Sequence, residues 1–242
     1  MLGGDVQLSL CALPLFAQSH PDARQALFDR GVERLYRVGE QVIEEHAASE
    51  HLFVIIQGLV GVFYSTPDGD DVLVKVLGAP AVFGEMELFA DLPRLEYVET
   101  FEPSSIVSFP KDAALAFLQR DVTASYVLLD DVSRRLCIAA VNERSLAFDD
   151  VATRLAGLLL SFLEAFRQRD GDELVLDLKL SYPMLARCLG VAVRSVDRVI
   201  GAWLKEGWLR RVDGRYRLRD LEQLRRRASP DHLAIYSRLR ER

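Results

Sequence analysis

Arg194, Ser195, Asp197 and Arg198 lie within five residues of one another and carry the donors and acceptors that read base edges. An arginine can donate two parallel hydrogen bonds to guanine O6 and N7, while a short acid or hydroxyl serves a neighbouring base. Ser181, Arg210, Arg211 and Arg215 flank this group and suit phosphate oxygens, which hydroxyls and guanidinium groups engage whatever the base sequence. Such chemistry needs a rigid helix that projects these side chains outward. The stretch LSYPMLARCLGVAVRSVDRVIGAWLKEGWLRRVDGRYRL from Leu180 to Leu218 predicts one. Ser181 caps a short helix through Cys188, and Gly190 permits the positive φ of a tight turn. Val196, Val199, Ile200, Trp203 and Leu204 then form the apolar stripe of a second helix, with Arg194, Asp197 and Arg198 facing away. Leu209 to Leu218 alternates around Asp213-Gly214, a hairpin signal. Helix, turn, helix and hairpin together read as a winged helix-turn-helix, whose second helix enters the major groove of double-stranded DNA. Two ordinary core helices beside a surface hairpin are the plainer alternative.

Charge separates the two readings. The chain carries −6 overall, yet residues 179–242 hold 16 basic and 7 acidic side chains, a net of +9 that leaves −15 on the first 178. That asymmetry fits a nucleic-acid-binding segment joined to an acidic domain. At 242 residues the chain is long enough for two cores, and no apolar run approaches the ~18 residues of a membrane span. Cys11, Cys137 and Cys188 are isolated thiols, and the N-terminus lacks a basic leader, so a reducing, cytoplasmic setting is expected. Cys137 reads as a small buried thiol, with a redox sensor as the alternative. No nucleophile motif, Walker loop or metal cluster occurs, and His20, His46, His51 and His232 are scattered, so neither enzyme activity nor a cofactor is expected.

The fold class expected is α+β. Residues 21–36 read as one amphipathic helix carrying Ala23, Leu27 and Phe28. From Tyr36 to Phe109, short β-rich runs punctuated by Gly39, Gly58, Gly69, Gly78 and Gly84 predict an antiparallel β-roll or jelly roll, with a hairpin turn at Pro67-Asp68-Gly69-Asp70. Asp121–Arg144 reads as a long helix with Leu129, Val132, Leu136 and Ala139, then Leu146, on one seam. That spacing suits a two-helix coiled coil or a helix packed on its own domain. Val151–Phe166 reads as an apolar helix, residues 167–172 as a polar loop, and the segments after Leu218 as a solvated basic tail.

The run LFVIIQGLVGVFYSTPDGDDVLVKVLGAPAVFGEMELFADLPRLEYVET resembles the cyclic-nucleotide-binding roll of the cyclic-AMP receptor (CRP/FNR) family of bacterial transcription regulators. Its marks are Phe53-Val54-Ile55 ahead of Gly58, the Asp68-Gly69 turn, Phe83-Gly84-Glu85, Leu88-Phe89 and Arg94 ahead of Tyr97-Val98. The helix-turn-helix resembles that family's second module in the same order, and the likeness covers roughly residues 36 to 218. It implies an effector domain at 1–120, a dimerisation helix and hinge at 121–148, and a DNA-binding domain at 149–242. It further implies a homodimer with Leu129, Val132, Leu136 and Ala139 in the seam, a palindromic operator, and RNA polymerase as a partner. Phe148-Asp149-Asp150 resembles the interdomain hinge, with an aspartate capping the next helix.

In that family an arginine and backbone amides hold the cyclic phosphate and a glutamate holds the ribose, roles that fall on Arg94, Gly84 and Glu85. The rest of this pocket departs from the pattern. Leu95 stands where a small hydroxyl residue follows the arginine, Glu96 comes next, and the preceding loop is one residue shorter. Ala139 and Ala140 stand where hydroxyl residues reach the adenine. The pocket is therefore expected to be degenerate for cyclic AMP, with Arg94 and Glu85 paired to each other or to structure, or serving an unidentified anionic effector. In the recognition helix Val193-Arg194-Ser195-Val196-Asp197-Arg198 replaces the common Arg-Glu-Thr-Val-x-Arg, which implies an altered half-site. Two alternatives remain: a cyclic-nucleotide-dependent regulator, and a small-molecule or redox sensor acting through protein contacts with a vestigial DNA module.

Overall fold

The computed structural model describes residues 2–66, 71–170, 173–178 and 180–239. The chain divides into two compact units, residues 1–132 and 133–242. The first begins with helices α1 (Gly4–Cys11), α2 (Pro14–Ala17) and α3 (Pro21–Phe28). Strands β1 (Val32–Tyr36), β2 (Gln41–Ile43), β3 (His51–Gln57), β4 (Leu59–Ser65), β5 (Asp71–Gly78) and β6 (Ala81–Phe83) follow. Helix α4 (Glu85–Ala90), strands β7 (Tyr97–Thr100) and β8 (Ser104–Pro110), helix α5 (Lys111–Arg120) and the start of α6 (Val122–Phe148) complete it. The strands make two antiparallel four-stranded sheets ordered β1-β8-β3-β6 and β2-β7-β4-β5. The expected roll is therefore present, although the Pro67–Asp70 turn lies outside the described residues.

The continuous apolar run of β3 has a physical reason. Phe53 and Ile55 join Val60, Val62, Leu77, Phe83, Val98 and Ile106 inside the roll. Leu52 and Val54 point the other way, into a second core with Phe16, Leu27, Phe28, Phe109 and Phe117 from the flanking helices and β8. A strand buried on both faces loses the apolar–polar alternation of a half-exposed one. Asp121 locks this layer: it accepts from Ala124 N at 2.8 Å, capping α6, and from His20 N at 2.5 Å, fixing the entry to α3.

Residues 21–36 are not one helix. The helix stops at Phe28, and Val32–Tyr36 pairs antiparallel with Ser104–Ser108. A ladder to a strand far along the chain overrides whatever helical preference the segment has.

The second unit comprises the rest of α6, then α7 (Val151–Phe166), β9 (Arg167–Asp170), β10 (Glu173–Leu176), α8 (Tyr182–Leu189) and α9 (Val193–Lys205). Strands β11 (Leu209–Val212) and β12 (Arg215–Leu218) and helices α10 (Leu221–Arg227) and α11 (Pro230–Leu239) end it. Helix α7 is its axis, with Leu155, Ala156, Leu159 and Leu163 buried. Helices α8, α9, α10 and α11 all pack on it. Asp150 caps it through Thr153 N at 2.8 Å, as the aspartate spacing predicted.

Two further expectations fail in this unit. Residues 167–170 are a strand rather than a polar loop: β9 pairs with β10, which pairs with β12, so the wing belongs to a four-stranded sheet ordered β11-β12-β10-β9. The segment after the wing is not a solvated tail either. Leu224 is fully buried, and the His232 imidazole is enclosed, 2.7 Å from Ser229 Oγ and 3.1 Å from Asn142 Oδ1.

Burial pushes the His232 ring below the ordinary 6.5, with Asp149 and Asp231 pulling the other way. The folded chain thus favours neutral imidazole, so this contribution to stability is complete above pH 6.5 and is lost as pH falls through the lower, folded value. Thermal melts of unit 2 between pH 7.5 and 5 are expected to show that decline, and His232→Gln should flatten it.

Candidate nucleic-acid interface and effector pocket

Helix α8 begins at Ser181, whose hydroxyl accepts from Met184 N at 3.2 Å. The hydroxyl proton remains available to a second acceptor. Gly190 closes the helix at φ 60°, in the left-handed region, and its N–H returns to the α8 carbonyls. The chain then turns into α9, whose inner face buries Val196, Ile200 and Trp203 against α7 and α8. Trp203 stacks on Trp208 at 5.6 Å, which fixes the end of α9 against the start of the wing. With that face anchored, Arg194, Asp197 and Arg198 are exposed on the opposite side and Ser195 is half-buried at its edge. The four residues expected to read bases are therefore on one helix, and the exposed three share its outer surface.

Arg154 on α7 donates to the Leu189 carbonyl, so the turn between α8 and α9 is held to α7 by a side-chain bond as well as by packing. A cation at a helix C-terminus is also favoured by the aligned backbone dipoles. Sequence reasoning missed this residue, because nothing local marks an arginine in the first turn of α7 as the partner of a distant carbonyl.

The wing is a two-residue hairpin. Val212 pairs with Arg215, and Asp213 and Gly214 both take positive φ, 51° and 80°, as a turn matching strand twist demands. The three arginines expected on phosphates occupy different settings. Arg210 is exposed on β11. Arg211 lies between the Tyr182 and Tyr216 rings, 5.6 Å from each centroid, and donates to Leu180 O at 3.4 Å. Arg215 pairs with Asp177 across the sheet at 2.7 Å. Arg211 and Arg215 thus have intramolecular work, joining the wing to the entry of α8 and to the residue that follows β10. Beneath them Tyr216 is fully buried, and burial pushes its hydroxyl up to about 12.

Of the two pairings expected for Arg94, with Glu85 or with structure, the candidate effector pocket shows the second. Arg94 is 3% exposed and its ion-pair partner is Glu87, at 3.2 Å, rather than Glu85. The same nitrogen donates to Gly84 O at 2.7 Å, the other terminal nitrogen donates to His51 O at 2.5 Å, and the guanidinium lies 5.8 Å from the Phe53 ring centre. Arg94 is brought to Gly84, as expected, but as a strut inside the roll. Glu85 is buried too, on α4, the helix that also carries Glu87. Glu96 is half-buried, and its carboxyl is raised above 4.5 by burial and then by the negative charges of Glu87 and Glu85, with Lys75 opposing. Three carboxylates against one committed arginine and one lysine make a poor seat for an anion.

On α6, Val132 packs with Ala124 and Leu128 into the core formed with Phe16, Phe28 and Phe109, whereas Leu129, Leu136 and Leu146 are 61–70% exposed and Ala139 and Ala140 are exposed as well. The seam residues are thus split between the roll and solvent. Cys137 is exposed, which corrects the expectation of a buried thiol: among the described residues, nothing in its own unit packs over that face of α6. Cys188 is enclosed in α8, and burial pushes its thiol up to about 12. Among the described residues no group of side chains is arranged to hold a metal ion, and no helix is long and apolar enough to cross a membrane.

Comparison with known proteins places both modules. The family model described as the cyclic nucleotide-binding domain matches residues 33–121, and that described as the Crp-like helix-turn-helix domain matches residues 153–227. The chain is 29% identical over 190 residues to a CRP-like cAMP-activated global transcriptional regulator of Mycobacterium tuberculosis, covering 78% of this chain and 85% of that one. It is 25% identical over 155 residues to a global nitrogen regulator of Nostoc, covering 63% and 70%. Among solved structures, FixK2 of Bradyrhizobium japonicum superposes with a TM-score of 0.71 at 18% identity, over 82% of this chain and 98% of that one. The c-di-GMP responsive regulator CLP of Xanthomonas campestris does so at 0.66 and 21%, over 82% and 99%.

Proposed function

Because the chain belongs to the CRP/FNR family, whose members are transcription regulators and not enzymes, and carries that family's helix-turn-helix DNA-binding domain, we propose that it binds a palindromic operator as a homodimer without needing cyclic AMP. The observation that carries this reading is the outer face of α9, where Arg194, Asp197 and Arg198 are exposed while Val196, Ile200 and Trp203 anchor the helix. Residues 1–120 serve as the effector-type domain, 121–148 as dimerisation helix and hinge, and 149–242 as the DNA-binding part. The exposed stripe of Leu129, Leu136 and Leu146 supports a seam between two copies, which covers apolar surface that a monomer leaves in water. Two recognition helices then lie ~34 Å apart and enter successive major grooves. The protein works in the cytoplasm, with RNA polymerase as its partner.

The relatives respond to different molecules: the Mycobacterium regulator is described as cAMP-activated and the Xanthomonas one as c-di-GMP responsive. Effector identity therefore does not travel with the fold. With Arg94 committed to Glu87 and two backbone carbonyls, the reading favoured is effector-independent binding over an anionic effector. Selection from randomised duplexes in the absence of nucleotide tests the proposal, with light scattering on the same sample. A two-fold symmetric site and a dimer are expected. No enriched sequence, or a monomer at micromolar concentration, would contradict it.

Arg198 keeps the family's position and is assigned a guanine, whereas Arg194 and Val193 differ from the common pattern and change the half-site. Arg198→Ala is expected to cost ~1–3 kcal/mol on the selected site and to relax one base position. An equal loss on random DNA would make it a phosphate contact. Arg210→Ala is expected to lower the salt slope by about 0.9. Arg211→Ala and Arg215→Ala should instead act through the wing and α8, because their guanidinium groups are engaged inside the unit.

A further inference from the structure

Helices α10 and α11 follow the wing, and their polar contacts converge on the joint between α6 and α7. Arg227 of α10 donates to Asp150 Oδ2 at 2.5 Å and to the Thr153 hydroxyl, gripping the aspartate that caps α7. Arg144 of α6 pairs with Asp231 of α11 at 2.9 Å. Between these, His232 is 4% exposed, with Nε2 3.1 Å from Asn142 Oδ1 on α6 and Nδ1 2.7 Å from Ser229 Oγ. An acceptor oxygen on Asn142 assigns the ring proton to Nε2, which leaves Nδ1 to accept from the serine hydroxyl. The ring also lies against α7. A Cβ added at Gly157 would come within 3.1 Å of its carbon atoms, so glycine there is what lets the imidazole sit on the helix backbone.

One buried ring therefore touches both helices of a joint whose connection, Asp149-Asp150, is non-helical. Such a two-residue connection is soft in φ and ψ, and a third element bonded to both sides removes that freedom. We propose that His232 is a positioning residue for operator recognition: by pinning α6 to α7 it fixes the half-site separation that the dimer accepts. The proposal rests on the homodimeric, operator-binding reading above. A joint free to bend would let each recognition helix follow its half-site through small displacements. A pinned joint makes the separation a selected property of the DNA.

The test uses the full chain and three versions of the selected duplex, with the half-sites at their selected spacing, one base pair closer and one base pair farther. Each step moves a half-site by ~3.4 Å and rotates it by ~35°. Wild type is expected to prefer its own spacing by ~10-fold or more. Asn142→Ala removes only the α6 partner, from an exposed residue, and should flatten that preference to ~2–3-fold while affinity for random DNA stays unchanged. His232→Ala should do the same, and His232→Gln, which keeps a donor toward Asn142, should restore part of it. Variants that keep the wild-type spacing profile, or that lose affinity equally on every duplex, overturn the proposal while the DNA-binding reading stands. A wild-type protein that selects no sequence overturns both.

Discussion

Arg94→Ala is expected to destabilise the first unit by about 3–5 kcal/mol, the cost of leaving one member of a buried ion pair without its partner. Glu87 is 7% exposed in its side chain, so the orphaned carboxylate stays enclosed, and the Gly84 and His51 carbonyls lose their donors with it. An arginine held ready for a ligand at the mouth of a pocket would behave differently, because its removal would leave stability almost unchanged. Replacing both partners, as in Arg94→Met with Glu87→Leu, should recover much of the loss, since no charge is then stranded. The readout is simple to assign. Trp203 and Trp208, the two tryptophans of the chain, both lie in the second unit. Urea unfolding followed by far-ultraviolet circular dichroism should shift while the tryptophan transition stays in place.

Titration with cyclic AMP is expected to show no micromolar affinity. Leu95, Ala139 and Ala140 stand where the resembling family uses hydroxyls. Three lost hydrogen bonds at ~1 kcal/mol each weaken binding by ~100-fold or more. The structure adds two further costs. Arg94 would have to leave Glu87 and two carbonyls before meeting a phosphate, and the phosphate would arrive among Glu85, Glu87 and the half-buried Glu96. The 29% identity to a cAMP-activated regulator gives the opposite expectation, so the titration decides between kinship and pocket chemistry. A micromolar isotherm would mean that the roll rearranges around the nucleotide.

The DNA-reading module was legible because its signals are local. A capping serine, a turn glycine and an Asp-Gly hairpin each act within a few residues of where they stand, and Ser181, Gly190 and Asp213-Gly214 take the expected conformations. The failures share the opposite property. Val32–Tyr36 is a strand because β8 lies beside it, and Arg167–Asp170 is one because β10 does. Neither segment carries a pattern that would announce its partner. His232 looked like one scattered histidine, since the groups that make its site, Asn142 and Gly157, belong to other helices. Arg94 stood out in the sequence as the candidate pocket arginine, but its pairing with Glu87 depends on which faces of α4 turn inward.

The most direct test is fluorescence anisotropy of the full-length protein against its selected duplex and a scrambled duplex at 150 mM salt, with no nucleotide present. The selected site is expected to bind ~10³-fold or more tighter than the scrambled one, and saturating cyclic AMP should change neither value appreciably. Equal affinity for the two duplexes, or discrimination that emerges only with cyclic AMP, would contradict the account.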